Sequence, residues 1–349
     1  MPVVPPDLAI RAVELVSIPS VSREEADVAA YVAAAMPWEP VLADDLSSVY
    51  ARRTSRPLVL FAGHLDTVPA QDNLPGRIED DSVVGLGASD MKGGLAVMIE
   101  LARWLAEEEP ETELDAGFLF FPREELGTEW NPLPGLFEAW PLLGETALAI
   151  LLEPTDNTIQ AGCLGHIVAS RVFMGKSSHS GRPWLGENAI LRAVEELRPI
   201  ESLEVEIDGL RFVEVLSPTR ITGGIADNVI PDRVEVTFSF RYAPHRAPQE
   251  AEARLHELLP GAEVVSHAPA GRVAARTPLA ERLRRAGDFG VEPKQAWTNV
   301  ADFTSRGVDA VNLGPGATRY AHTRDERVEI GALQRTFESL QRFLRAGSV

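Results

Sequence analysis

The chain has 349 residues, 45% hydrophobic and 24% charged, which is enough for two domains of ordinary globular composition. Its net charge of -19 repels phosphate and argues against nucleic acid and anionic membrane surfaces as partners. A single cysteine, Cys163, excludes an intrachain disulfide. The N-terminus does not resemble a signal peptide, and no apolar run reaches the roughly 18–20 residues needed to cross a bilayer, so we expect a cytoplasmic protein.

Helical and strand-like segments alternate in the first half of the chain. Apolar residues recur at helical spacing over residues 7–18 and 23–36, and Ser22 is a candidate cap for the second helix. Residues 92–109 predict a further helix. Short apolar runs that end in carboxylates are typical of strands buried on both faces. We therefore predict the α/β class, with a mixed sheet covered by helices on both faces.

The pattern changes after about Gly165, where apolar and polar residues alternate as they do in half-exposed antiparallel strands. Helical patterns at about 188–197 and 248–259 interrupt these strands, and a last helix is expected from about Ile330 to Ala346. This pattern predicts a smaller α+β domain inserted into the first one. The predicted domains are residues 1–166 with 271–349, and residues 167–270.

Side chains that can bind metals follow several of the predicted strands, where α/β sheets bind their ligands. Two cations about 3.5–4 Å apart can share one carboxylate, each taking one further histidine and one further carboxylate. The sequence offers two histidines and three carboxylates, which match that requirement, and one further carboxylate, Glu124, remains to act as a base. Zinc accepts such a set, and manganese or cobalt could also occupy it. The candidate ligands are His64, Asp90, Glu125, Glu153 and His322.

Two interpretations from other classes remain open. The GLGASD turn resembles a dinucleotide-binding turn, but Asp90 in place of the third glycine would put a carboxylate near a pyrophosphate. A thermal shift with NAD would support that oxidoreductase hypothesis. The second alternative is a metal-free binding or scaffold protein that kept only the fold. Such a protein should have lost at least one ligand, so the complete ligand set argues against it. Taken alone, each candidate histidine or carboxylate is more often an ordinary core or surface residue. Their order along the chain and their placement at strand ends together favour the metal site.

The motifs H-x-D-x-x-P, G-x-G-x-x-D-M-K-G-G, E-E, a further Glu and a late His resemble the co-catalytic zinc deacylase and carboxypeptidase family. The resemblance covers nearly the whole chain. It implies a zinc-exopeptidase-like catalytic domain with an inserted lid or dimerisation domain. It also implies that His64 and Glu153 bind one zinc, that Glu125 and His322 bind the other, and that Asp90 bridges both.

Further roles are expected around these ligands. Asp66 is well placed to accept the second N–H of His64. The resemblance implies that Glu124 is the general base. It also implies a homodimer formed through the inserted domain, in which His179 donates a hydrogen bond across the interface to the oxyanion. Arg241, on the polar face of a strand, could grip a carboxylate. The remaining candidates for substrate binding are Asn228, Gly314 and Gly316.

The resemblance implies hydrolysis of an amide in a small acidic N-acyl amino acid. A succinylated diamino acid, N-succinyl-LL-2,6-diaminopimelate, is the leading candidate. N-acetyl amino acids and peptides are the alternatives. Glu rather than Asp at position 153 is similar to the deacylase and carboxypeptidase side of the family. Asn299 stands where the family pattern has Asp, which bears on the contacts with substrate.

Overall fold

The computed structural model describes residues 7–197, 202–345 and 347. Its helices are α1 (Asp7–Ser17), α2 (Ala26–Ala35), α3 (Gly93–Glu107), α4 (Leu133–Ala139), α5 (Ala189–Glu196), α6 (Pro248–Leu258), α7 (Pro278–Gly287), α8 (Val300–Thr304) and α9 (Ile330–Leu344). Its strands are β1 (Leu42–Asp44), β2 (Ser47–Ala51), β3 (Leu58–His64), β4 (Arg77–Glu79), β5 (Ser82–Val84), β6 (Asp115–Phe121), β7 (Leu148–Leu151), β8 (Ile159–Ala161), β9 (Gly165–Met174), β10 (Ser178–His179), β11 (Leu203–Ile207), β12 (Leu210–Gly223), β13 (Val229–Ile230), β14 (Arg233–Tyr242), β15 (Glu263–Ala268), β16 (Val291–Pro293), β17 (Ala310–Asn312) and β18 (Arg327–Glu329).

The predicted helices are present with small shifts at their ends. Helix α3 begins one residue after the predicted start, and α9 begins at Ile330, while its predicted end at Ala346 lies outside the described residues. The expectation that Ser22 caps α2 is wrong. The N-cap is Glu25, which makes no side-chain capping bond, and the Ser22 hydroxyl donates to Asp66 instead.

A mixed eight-stranded sheet, flanked by helices, confirms the predicted fold class. Its strand order is β1-β2-β6-β3-β7-β17-β8-β16. The four central strands, β6, β3, β7 and β17, run parallel to one another, so their carboxyl ends lie along one edge of the sheet. Every residue of β3, β6 and β7 is buried, as expected for strands covered on both faces.

Small residues allow the start of α3 to approach this edge. A Cβ atom on Gly94 would lie 2.4 Å from the Leu152 carbonyl oxygen, directly after β7. A Cβ on Gly63 would lie 2.6 Å from the Met91 side chain. Both distances are too short for a larger residue without displacing the backbone or a packed side chain. The glycines therefore let the turn that carries Asp90 lie against the ends of β3 and β7.

Two compact units divide the chain. The first contains the described residues up to Gly162, Val273–Glu292 and those from Asp302 onward. The second contains the described part of Cys163–Arg272 together with Pro293–Ala301. It holds a five-stranded antiparallel sheet of order β11-β12-β14-β9-β15. The extent of the inserted domain as drawn from the sequence stays a prediction.

Strand β14 shows why the second unit forms. Its apolar residues Val234, Val236, Phe238 and Phe240 are buried, whereas the intervening residues are partly exposed. One face of the sheet therefore packs into a core with α5 and α6, whose Ala193 and Leu255 are buried in the same cluster. Cys163 is a buried free thiol. In the described part of the chain, no helix has the length and apolar character required to cross a membrane.

Candidate metal centre

Three neighbouring parallel strands deliver side chains to one edge of the first unit. His64 is the last residue of β3, Glu124 and Glu125 follow the end of β6, and Glu153 follows the end of β7. The turn before α3 adds Asp90, and the loop before β18 adds His322. Their convergence follows from the parallel pairing of the strands, because the carboxyl ends of parallel neighbours lie side by side.

Asp90 lies between two histidines. Its Oδ1 is 3.1 Å from His64 Nε2, and its Oδ2 is 3.5 Å from His322 Nε2. A second carboxylate accompanies each histidine, because Glu153 Oε1 is 4.0 Å from His64 Nε2 and Glu125 Oε1 is 2.8 Å from His322 Nε2. Within each of these two groups, possible ligand atoms all lie within 4.8 Å of one another. This donor set fits two cations that share one carboxylate.

The histidines lie in a field of negative charge. Burial lowers the pKa of His64, but hydrogen bonds to Asp66 and Asp90 and the charge of Glu153 raise it well above its usual range. The hydrogen bond to Glu125 raises the pKa of His322 to about 9. The same carboxylates that retain these protons would stabilise a divalent cation in their place.

Glu124 has the environment of a proton acceptor. Burial raises the pKa of its carboxyl well above the usual range, and the charges of Glu153 and Glu125 raise it further. A carboxylate whose pKa is raised holds a transferred proton better than an ordinary surface glutamate does. The electrostatic surroundings of Glu124 are those expected of a group that accepts a proton.

Asp66 ties the ligand-bearing loops together. Its carboxylate accepts the backbone N–H groups of Glu124 at 2.9 Å and Glu125 at 3.1 Å, and the Ser22 hydroxyl at 2.7 Å. His64 Nδ1 lies 3.0 Å from the Asp66 backbone carbonyl and 3.5 Å from its carboxylate. Burial opposes ionisation of Asp66, but its hydrogen bond with His64 and those from Ser22 and Glu124 hold its pKa at about 2. Asp66 thus orients the Glu124–Glu125 segment as well as His64.

Glu326, for which the sequence predicted no role, lies beside this site but is not one of the candidate ligands. Its carboxylate accepts the backbone N–H groups of Gly87 at 2.9 Å, Ser89 at 3.1 Å and Asp90 at 2.9 Å. Burial raises the pKa of Glu326 to about 7, although these N–H groups oppose the shift. The only signal in the sequence is a glutamate four residues after His322, and nothing local connects it to the Asp90 turn.

The two glycine candidates lie beside the site in close packing. The Gly314 N–H donates to Thr155 Oγ1 at 3.0 Å, so the structure gives it a partner within the protein rather than a substrate. A Cβ atom on Gly314 would lie 2.4 Å from the Glu153 carbonyl oxygen, and one on Gly316 would lie 2.2 Å from the Ser89 carbonyl oxygen. Both glycines therefore permit the loop after β17 to pass close to the ligand-bearing segments.

The other substrate candidates lie in the second unit. His179, on β10, pairs with Val229 of β13, and the next residue, Ser180, donates its N–H to the Asn228 carbonyl at 2.8 Å. His179 Nδ1 accepts the Gly181 N–H at 3.0 Å, which leaves the proton on Nε2 in the neutral ring. His179 is exposed, so Nε2 can serve as a donor.

Arg241 lies on β14 opposite His166 of β9. Burial lowers the pKa of His166 to about 4, and the neighbouring Arg241 charge contributes to the shift. His166 therefore stays neutral at physiological pH and adds no positive charge beside the guanidinium. Asn299, which replaces the expected aspartate, is buried in the second unit with 1% of its surface exposed.

Residues 60–346 match the sequence profile described as Peptidase family M20/M25/M40. The chain is 39% identical over 344 residues to a putative succinyl-diaminopimelate desuccinylase of Mycobacterium tuberculosis, covering 95% of this chain and 96% of that protein. It is 33% identical over 349 residues to the succinyl-diaminopimelate desuccinylase of Corynebacterium glutamicum, covering 95% and 94%. Among solved structures, the M20 family metallo-carboxypeptidase Sso-CP2 of Sulfolobus solfataricus shares the fold with a TM-score of 0.73 at 16% identity, covering 97% and 99%. The chain therefore belongs to peptidase family M20/M25/M40 and is a metal-dependent amidohydrolase.

Proposed function

We propose that the protein hydrolyses N-succinyl-LL-2,6-diaminopimelate to succinate and LL-diaminopimelate, a step of lysine biosynthesis. The two desuccinylases to which nearly the whole chain is similar support this substrate. The observation that carries the chemistry is the position of Asp90, with one carboxylate oxygen directed to His64 and the other to His322.

Two zinc ions are the proposed cofactors, with cobalt or manganese as possible substitutes. His64 and Glu153 would hold one ion, Glu125 and His322 the other, and Asp90 both. When bound, the ions supply an acidified water and polarise the amide carbonyl.

Glu124 would move the proton in the reaction. Its half-buried carboxylate takes the proton from the attacking water and then delivers it to the leaving amine, so one residue acts first as base and then as acid. The two backbone bonds from Glu124 and Glu125 to Asp66 hold this carboxylate in place. Asp66 is therefore a positioning residue in this mechanism.

Residues of the second unit would bind the substrate and stabilise the oxyanion. Arg241 is proposed to grip the succinyl carboxylate, because a guanidinium offers two parallel N–H donors. Asn228 is proposed as a further polar contact. His179 Nε2 is proposed to donate to the oxyanion of a partner subunit's site. For Gly314 and Gly316 we propose a role in packing the loop beside the ligands.

Self-association through the second unit is part of the proposal. Leu191 and Val194 of α5 and Met174 of β9 are 59%, 58% and 55% exposed, which is high for apolar side chains. Burial of these residues against a second copy would remove apolar surface from water. The single buried free thiol suits the reducing cytoplasm that we propose as the location of this homodimer.

A substrate panel tests the proposal. The zinc-loaded enzyme would be assayed with N-succinyl-diaminopimelate, with N-acetyl amino acids and with dipeptides. We expect kcat/KM to be highest for the succinyl substrate, because only that acyl group carries a carboxylate for Arg241. A preference for the acetyl compounds or the dipeptides would assign the protein to another activity of the same family.

A further inference from the structure

One buried carboxylate holds the turn that carries the shared ligand. Glu326 is 1% exposed, and its Oε1 accepts the N–H groups of Ser89 and Asp90 while its Oε2 accepts that of Gly87. The Glu326 backbone carbonyl accepts a fourth N–H, that of Gly85, at 2.9 Å. The side chain and the main chain of one residue thus fix the turn from Gly85 to Asp90.

This turn needs such support because it is not held by helical bonds alone. Gly87 has a φ of 79°, and Asp90 has φ and ψ of -124° and 95°, which are not helical values. The Asp90 carboxylate must nevertheless face two histidines at once. A rotation that improved one contact would lengthen the other, since both oxygens belong to the same planar group. The position of Asp90 therefore has little tolerance.

Glu326 also couples this turn to the second histidine. His322 lies four residues earlier in the same loop, and its backbone carbonyl accepts the Gln71 side-chain amide at 2.9 Å. Ser89 Oγ in the turn donates to the Ala317 carbonyl at 2.9 Å, further back in that loop. One short segment thus supplies a ligand at one point and fixes the shared ligand at another.

We propose that Glu326 is a positioning residue for the metal centre, which sets the cation affinity by fixing Asp90 relative to His322. The inference rests on the proposed function, because it takes Asp90 and His322 as ligands. Glu326 acts through the backbone, so its removal should loosen the cage without removing a donor from it. Groups that orient metal ligands typically contribute about 10–100-fold to metal affinity.

Glu326→Gln tests this directly, because it keeps the size of the side chain and replaces one acceptor oxygen by an amide NH2. That NH2 group faces a backbone N–H and cannot accept its hydrogen. Zinc affinity would be measured by competition with a chromophoric chelator on the apo-protein, without substrate. We expect at least one of the two affinities to fall by about tenfold or more. The kcat at saturating zinc should return to within a few-fold of the wild type, because Glu124 and all ligands remain.

Asp115→Asn is the matched control. Asp115 is 4% exposed and its carboxylate accepts the N–H and hydroxyl of Thr54, at 2.5 and 2.8 Å, at the start of β6. That end of the strand is roughly 20 Å from the end that leads to Glu124. Its substitution should lower the thermal stability but change zinc affinity by less than about twofold. An equal loss of affinity in both variants would overturn the proposal, since the loss would then reflect general loosening.

The remaining outcomes also decide the matter. If Glu326→Gln loses the far-ultraviolet circular dichroism of the folded protein, Glu326→Asp, which keeps the charge and shortens the reach, undergoes the same titration. Wild-type affinity in a folded Glu326 variant, or activity that stays lost at saturating zinc, would overturn the positioning role and leave the metal centre intact. Failure of the wild type itself to bind two ions would overturn the metal centre and this inference together.

Discussion

The substitution Asp66→Asn tests whether Asp66 positions the catalytic base, because it leaves the Glu124 side chain itself unchanged. The Asp66 carboxylate has one oxygen for the Glu124 N–H at 2.9 Å and another for the Glu125 N–H at 3.1 Å. Asparagine offers only one acceptor oxygen, so one of the two N–H groups would face an NH2 group. A buried N–H without an acceptor costs about 1–3 kcal/mol, and we expect a loss of stability of this size.

The same substitution should also lower turnover. A displacement of a catalytic group by about 1 Å can lower the rate about 10²-fold, and Asp66→Asn leaves the Glu124–Glu125 segment free to shift by that much. We expect kcat to fall by about this factor at full zinc occupancy. The assays are urea unfolding of the apo-protein, zinc content by elemental analysis and kcat with the succinyl substrate.

Ser22→Ala is the control for this variant. It removes the hydroxyl that donates to the same carboxylate at 2.7 Å but leaves both backbone N–H groups bonded. We expect a loss of about 0.5–1.5 kcal/mol in stability and little change in kcat. Wild-type kcat in zinc-loaded Asp66→Asn would refute the reasoning, because Glu124 would then be placed without Asp66.

Four further predictions follow from the same geometry. Glu124→Gln should retain its zinc and lose nearly all turnover, and retained turnover would disprove its role as base. His179→Ala should lower kcat about 10²–10³-fold without changing metal content. If His179 acts across a dimer and subunits exchange, mixing equal amounts of His179→Ala and Glu124→Gln should restore about a quarter of wild-type activity, because about half of the dimers would be mixed and each would hold one complete site. Arg241→Met should lower kcat/KM for the succinyl substrate about 10–100-fold and leave N-acetyl substrates little changed, which comparative kinetics would show. Because the pKa of His322 is raised to about 9, this histidine is protonated in the apo-protein at neutral pH, and the raised pKa of His64 acts in the same direction. Zinc binding should therefore release protons and strengthen as pH rises towards about 9. Calorimetry in buffers of different ionisation enthalpy that detects no proton release would contradict this.

Local patterns in the sequence were sufficient for the secondary structure and the fold class. The apolar periodicity of residues 92–109 predicted α3, which runs from Gly93 to Glu107, and the alternation in β14 predicted its buried face. These predictions succeed because helical and strand periods are properties of consecutive residues. The capping prediction at Ser22 failed because a distant acceptor, Asp66, took its hydroxyl.

The grouping of the candidate ligands was also accessible from the sequence. His64, Glu125 and Glu153 each follow an apolar run, and runs that form neighbouring parallel strands bring their carboxyl ends together. The sequence by itself therefore determined which side chains could share an edge. It could not determine which oxygen faces which nitrogen, and the bridging position of Asp90 came from the family resemblance.

Only the tertiary structure decided how the polar groups around the ligands are paired. The bond from Ser22 to Asp66 spans 44 residues, that from Gly314 to Thr155 spans 159, and that from Asp90 to Glu326 spans 236. A buried N–H or carboxylate takes whichever partner the folded loops bring within about 3 Å, and local sequence does not encode that choice. For this protein the sequence indicated the chemical groups of the site, and the packing of distant loops determined which residues hold them in place.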